Sequence, residues 1–374
     1  MTGREKIEAS FAPGGSPELA VVVPYELMLI RDHWEDLTLC PWWYYFSPDV
    51  DQQLAWRRDV IRTLDQDWFL LPTGSPCQER KAVSIEPCGN HAQWLDRRSG
   101  ESRILRRPPV GGWVSPPQDE PPAPQAAADV DRRVAPPPDW SAMATDGSLD
   151  LAAALLREFG GDYYLMDYVG TPFSMSESVW GFETAMVLAV ERPDLVSRTC
   201  ERLLEHCLAR VRQAALKGVA GIWIEDVYSG LVSPNAYGTF GTPYVQELIA
   251  EIHALSMRAF YYYCGDPAGR WEHILSLGAD ALAFEESKKD FRIEIEDVVA
   301  RVDGSSVVLG NLDAIGVLQD GDDDVLRAEV ERQTAAGRRN GGRFIMSLGS
   351  PVTPATSLAR VRRYCELARE TRDS

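Results

Sequence analysis

Two acid pairs, Glu225-Asp226 and Glu285-Glu286, each end a short apolar run, and a third run ends in Tyr261-Tyr262-Tyr263-Cys264-Gly265-Asp266. Carboxyls gathered in one place crowd like charges, which raises their pKa values toward working pH and suits general acid or base work. The same set suits a cationic substrate, or a metal held through Glu225, Cys264 and Glu285. Cys264 reads as a nucleophile, a metal ligand or a small packed side chain. Because strand neighbours alternate faces, Tyr262 shares the face of Cys264 while Tyr263 points away, and one member of each acid pair faces outward. Glu225 and Glu285, the first polar residues after their runs, join Tyr262 and Cys264 as the expected catalytic set. Expected substrate contacts are Asp226, Tyr228, Phe173, Ser174, Asn311, Asp313 and Ser350, which follow these and neighbouring runs.

Those tips need elements to hold them. Apolar runs at Tyr163 to Val169, Gly221 to Ile224, Ala259 to Tyr263, Ala281 to Phe284, Val307 to Leu309 and Phe344 to Ser347 read as strands. Between them, helical spacing marks Glu191 to Lys217, Tyr244 to Leu255, Trp271 to Leu277, Ile295 to Val302 and Val325 to Ala336. Leu151 to Phe159 and Leu358 to Thr371 complete the helices, and Ser233 is placed to cap a helix that opens with Pro234. Strand–helix alternation implies parallel strands with crossover helices. Ala20 to Val23 and Trp68 to Leu71 bring the strand total to about eight, as a (β/α)8 barrel needs. The expectation is an α/β chain folded as a single (β/α)8 TIM barrel over residues 1–374. The Pro/Ala-rich stretch 108–139 is read as an extended excursion within it. A doubly wound sheet is disfavoured, since no Gly-x-Gly-x-x-Gly turn follows a strand.

A net charge of −18 argues against nucleic acid and anionic membrane surfaces as partners. No stretch is long and uncharged enough to span a membrane, and residues 1–17 lack the pattern of a signal peptide. A cytoplasmic protein acting on a small molecule is expected, with a homodimer left open. The seven cysteines are odd in number and scattered, which speaks against a disulfide framework. Cys200 and Cys207 read as small buried hydrophobes on one helix. The run Cys40-Pro41-Trp42-Trp43-Tyr44-Tyr45, with His33-Trp34 before it, suits a lid or a subunit contact.

From Gly170 onward the chain resembles the uroporphyrinogen decarboxylase superfamily, which includes cobamide-dependent methyltransferases. The resemblance rests on Gly170-Thr171-Pro172-Phe173-Ser174-Met175, Glu225-Asp226 with Ser233-Pro234, Cys264-Gly265-Asp266, Gly278-Ala279-Asp280, Gly310-Asn311-Leu312-Asp313, and Gly341 to Met346 leading to Gly349-Ser350. It implies the barrel. Methyltransferases of the family bind zinc through a His and two Cys; the matching positions here are Tyr262, Cys264 and Ser350, of which one is a zinc ligand. The decarboxylases' arginine-rich motif has no match before Trp68. Their catalytic Asp falls near Leu71-Pro72, their tyrosine near Ser178 and their histidine at Ser350. Uroporphyrinogen, with its many carboxylates, would find no basic floor.

The resulting expectation is a lyase, carboxy-lyase-like, doing acid–base chemistry on a small molecule other than uroporphyrinogen. A methyltransferase with a rebuilt carboxylate and thiolate metal site comes second, and a non-catalytic binding protein third. No cofactor is expected; zinc, were it bound, would draw on Glu225, Cys264 and Glu285.

Overall fold

The computed structural model describes residues 1–111 and 121–371. Eight parallel strands form the main sheet: β1 (Ala20–Val21), β2 (Trp68–Leu70), β6 (Tyr164–Gly170), β7 (Gly221–Asp226), β8 (Arg258–Tyr263), β9 (Ala281–Phe284), β10 (Val307–Leu309) and β11 (Phe344–Met346). Their order is β1-β11-β10-β9-β8-β7-β6-β2, so the sheet curls into the expected barrel with its seam between β1 and β2. Strand parity sorts the side chains. Trp68, Tyr164, Met166, Trp223, Phe260, Tyr262, Ala281, Ala283, Val307, Leu309 and Ile345 fill the interior, while Tyr261, Tyr263, Ile224 and Phe284 pack outward against helices.

The seam has no regular ladder, and side chains of one segment bridge it. Asp67 N donates to Val21 O at 2.9 Å, and Val21 N donates to the Asp67 carboxylate at 2.7 Å. Val23 N donates to Gln66 Oε1 at 2.8 Å. Lys6 Nζ, from the helix Gly3–Ser10, reaches the other Asp67 oxygen at 2.9 Å. Burial pushes the Asp67 carboxyl above its ordinary pKa, and Lys6 and Val21 N pull against that. The same helix floors the barrel, with Ile7 fully buried and Phe11 just beyond it edge-on to Phe260 at 5.6 Å. A side chain on Gly3 would stand 2.8 Å from Asp67 Cα, so only glycine allows this approach.

A second polar network locks the outer layer. Asp226, fully buried, accepts from Tyr261 Oη at 2.7 Å and Ser174 Oγ at 3.1 Å, with Thr171 Oγ1 at 3.4 Å. Tyr261 in turn meets Tyr237 Oη at 2.9 Å. These bonds tie β7 and β8 to the helices Pro172–Trp180 and Pro234–Phe240, the latter capped by Ser233 as anticipated. The helix Pro193–Lys217 buries Leu195, Cys200, Leu203, Cys207 and Val211, and it stops at Gly218, whose φ is +82°.

Two features depart from expectation. Residues 83–106 form a small antiparallel sheet: β3 (Val83–Cys88), β4 (His91–Asp96) and β5 (Ser102–Arg106). Cys88 pairs with His91 across Gly89-Asn90, a two-residue turn of the kind that closes hairpins and is visible in the sequence. The aromatic run becomes a 3-10 turn, Trp42–Phe46, wedged between this sheet and Trp34 and Trp56. The stretch 108–139 is only partly extended: residues 112–120 lie outside the described residues, while Ala127–Arg133 is a helix. Its Val130, with Val134 just past its end, is buried against Leu195, Val196 and Leu203, and that borrowed core is what orders it. Among the described residues no helix is long and apolar enough to cross a membrane.

Asp67→Ala should lower the unfolding free energy by about 3–5 kcal/mol, since Lys6 is left buried without its partner. Asp67→Asn, which keeps an acceptor for Val21 N, should lose less; urea denaturation measures both. Asp226→Ala should cost about 2–4 kcal/mol in the same assay, because the Tyr261 and Ser174 hydroxyls lose their acceptor in a buried site.

Candidate active site at the barrel mouth

Parity brings Glu225, Tyr262, Cys264 and Glu285 to the inner face at the C-terminal ends of neighbouring strands, where a parallel barrel builds chemistry. Register places Glu225 beside Tyr262. Below Glu225, the Trp223 ring stacks on Tyr262 with centroids 5.3 Å apart and planes at 22°. A further residue arrives from β1. The chain turns over the mouth after Val23-Pro24, and Tyr25 takes the left-handed conformation at φ +59°, which costs a non-glycine residue about 1 kcal/mol. Its ring sits 6.3 Å from Trp223 and 5.8 Å from Tyr262, and its phenol lies near enough to Glu225 to favour the ionised carboxyl. Beside this group lies a cavity of about 230 Å³, lined by residues of segment 23–28 with Trp68, Leu70, Met166, Tyr168, Trp223 and Glu225.

Burial governs the electrostatics here. Loss of water raises the Glu225 carboxyl above its ordinary pKa, and the neighbouring Tyr25 phenol pulls it part of the way back. Desolvation drives Tyr25 and Tyr262 far above the ordinary phenol range, so both stay neutral donors. Cys264 is pushed up to about 12, first by burial and then by the charge of the nearby Glu285 carboxylate, which leaves it a thiol rather than a thiolate at neutral pH. Glu285 also accepts from Gly265 N at 2.8 Å. Glu26, in the cavity lining, is raised to about 7 by burial, against bonds from Leu70 N and Gln66 and the charge of Arg57.

The crowding of four acids does not occur. Glu225 and Asp226 face opposite sides of β7, and Asp226 is absorbed in the outer network with Ser174. Glu286 is buried, bonded to Lys288 Nζ at 2.5 Å and to Ser350 Oγ at 2.7 Å. The raised Glu225 and Asp226 therefore owe their shifts to desolvation and not to mutual repulsion.

Several expected substrate contacts are placed elsewhere. Asp226 and Ser174 are buried in the outer layer because their strand and helix positions face the helices, and Phe173 stacks on Phe240 at 5.8 Å in that layer. Asn311 Nδ2 donates to Glu285 O and Ile293 O, which fixes the loop after β9. Asp313 caps the turn Ala314–Gln319 through Ile315 N and Gly316 N. Ser350 is held between Lys288 and Glu286. Tyr228 stays near the mouth, half-buried against Phe182 and close enough to feel the charges of Glu225 and Cys264.

The family's zinc does not fit these side chains. Tyr262 donates its hydroxyl to Gly349 O at 3.0 Å, Ser350 is committed to Lys288 and Glu286, and Cys264 keeps its proton. The alternative set of Glu225, Cys264 and Glu285 does not assemble either. Among the described residues no three His, Cys, Asp or Glu side chains form a metal cluster.

Tyr25 and the cavity rings Trp68, Tyr168 and Trp223 were not anticipated. The strand-end rule applied to Val21-Val22-Val23-Pro24-Tyr25 would have found Tyr25, and parity counted back from Glu225 would have found Trp223.

Comparison with known proteins agrees with this architecture. Residues 111–371 match the family model described as "Uroporphyrinogen decarboxylase (URO-D)". A uroporphyrinogen decarboxylase of Thermodesulfovibrio yellowstonii is 30% identical over 153 residues, 41% of this chain and 42% of that one. One from Synechocystis is 24% identical, covering 59% of this chain and 62% of its own. The chain thus spans roughly half the length of the curated relatives it matches. Among solved structures, a methyltransferase from Methanosarcina mazei superposes with a TM-score of 0.67 at 15% identity, covering 99% of this chain and 98% of that one, which speaks to the fold alone. With the family model covering most of its length and the barrel that family implies, the chain belongs to the uroporphyrinogen decarboxylase family.

Proposed function

We propose that the protein is a lyase-type enzyme acting on a small molecule other than uroporphyrinogen, with Glu225 as the group that moves the proton. One observation carries the reading: a desolvated carboxyl of raised pKa faces an apolar cavity at the barrel mouth, with the Tyr25 phenol beside it in the same lining. Desolvation strengthens the carboxylate as a base, and Tyr25 aims it. Glu225 then takes a proton from substrate carbon as the neighbouring bond breaks, and that proton passes to the leaving group or to water. Tyr262, neutral and anchored on Gly349, walls the site below Tyr25. Cys264 serves as a hydrogen-bond donor that orients Glu285, since a thiol at about 12 supplies little thiolate.

The cavity also argues against the polyacidic substrate of the family's name. It is small, and no Lys, Arg or His is among its lining residues. Such a lining leaves substrate carboxylates without partners.

Untargeted metabolite profiling of cell extract incubated with the protein identifies the substrate, and Glu225→Gln should reduce its turnover by about 10²-fold or more. A base works ionised, so the rate should rise with pH through an ionisation above the ordinary glutamate value, and Glu225→Gln should abolish that limb. A rate that falls with pH through the same ionisation would instead mark Glu225 as the acid that protonates carbon in a decarboxylation. Cys264 should react with a thiol reagent at pH 7.5 at least about tenfold more slowly than exposed Cys77 and Cys88, and fast labelling would overturn its role as a donor.

A further inference from the structure

The lining of the mouth cavity holds more than proton transfer requires. It contains four aromatic rings, those of Tyr25, Trp68, Tyr168 and Trp223. Trp223 forms the back. Trp68 meets it at 5.6 Å and 85°, and Tyr25 meets it at 6.3 Å and 84°, so two walls stand crosswise to the first. Tyr168, 42% exposed, stands at the open side. The ionisable carboxyls of the lining are Glu225 and Glu26, and Glu26 is already held by Leu70 N and Gln66. No basic side chain lines the cavity, and the nearby Arg210, which lies over the Tyr168 ring, is paired with Asp167.

Aromatic faces carry negative potential, and a cation enclosed by several of them is held more tightly than a neutral group of equal shape. A neutral hydrocarbon would gain only burial in such a box, and an anion would be repelled by both the rings and the carboxyl. We propose that this cavity binds the alkylated ammonium group of a small organic cation, with Tyr25, Trp68, Tyr168 and Trp223 as the cage and Glu225 as the counter-charge. The inference rests on the reading of this cavity as the active site and adds the substrate class. The chemistry agrees: a fixed positive charge stabilises the negative charge that develops on adjacent carbon when Glu225 removes its proton.

The test compares choline with 3,3-dimethyl-1-butanol, the neutral alcohol of the same shape, by calorimetry on the intact protein. Choline should bind at least about fivefold more tightly. Tyr168→Leu and Trp68→Leu keep apolar bulk while removing the ring faces, and should weaken choline by about fivefold with little change for the alcohol. Tyr168 sits at the surface, so its variant stays informative if Trp68→Leu fails to fold. Equal or tighter binding of the neutral alcohol, or no choline binding at 10-millimolar ligand to folded protein, overturns the proposal. Binding is read without turnover, which separates the two readings. Glu225-dependent turnover with no choline preference sinks the cation site alone, whereas choline preference with turnover unchanged in Glu225→Gln sinks the catalytic reading alone.

Discussion

The seam between β1 and β2 is the contact on which the working end of the molecule depends. A barrel closed by a continuous ladder would need nothing more, but here the last step is made by Asp67 and Gln66, with Lys6 neutralising the buried carboxylate from below. This places β1 beside β2, and the chain leaving β1 then crosses the mouth. Tyr25 and Glu26 reach their places for that reason. Because Lys6 sits on the helix that floors the barrel, the same ion pair joins the closed end of the barrel to the assembly of its open end.

Above that seam, desolvation rather than charge crowding sets the chemistry. The interior rises through Phe260, Trp223 and Tyr262, which exclude water up to the level of Glu225. A carboxyl at the top of such a column is pushed toward its neutral form, and the neighbouring Tyr25 phenol offsets part of that cost. The acids that lack this setting are occupied: Asp226 knits strands to helices, Glu285 organises the loop after β8, and Glu286 pairs with Lys288. Of the four acids at the strand tips, Glu225 is the one that lines the mouth cavity.

Tyr262, Cys264 and Ser350, which the resemblance sets against the zinc ligands of the methyltransferases, are engaged locally: Tyr262 donates to Gly349 O, Ser350 joins the Lys288–Glu286 pair, and Cys264 lies beside the charge of Glu285. A barrel like that of the Methanosarcina mazei methyltransferase forms at 15% identity because the fold rests on parity and apolar volume, which many sequences satisfy.

The sequence by itself determined the eight strands, most helices and the inner face of the mouth, because these follow from local periodicity and from the alternation of side chains along a strand. Glu225, Tyr262, Cys264 and Glu285 were legible for that reason. The Gly89-Asn90 hairpin was also legible in principle, since a two-residue turn is local. Only the tertiary structure decided which polar groups are spent on one another. Asp226 with Tyr261, Ser350 with Lys288 and Tyr25 with Glu225 are far apart in sequence, and no periodicity encodes such pairings. It also decided that Trp68 and Tyr168 border one cavity with Trp223, because their meeting depends on the parallel pairing of β2 with β6 and of β6 with β7, strands that are far apart in sequence.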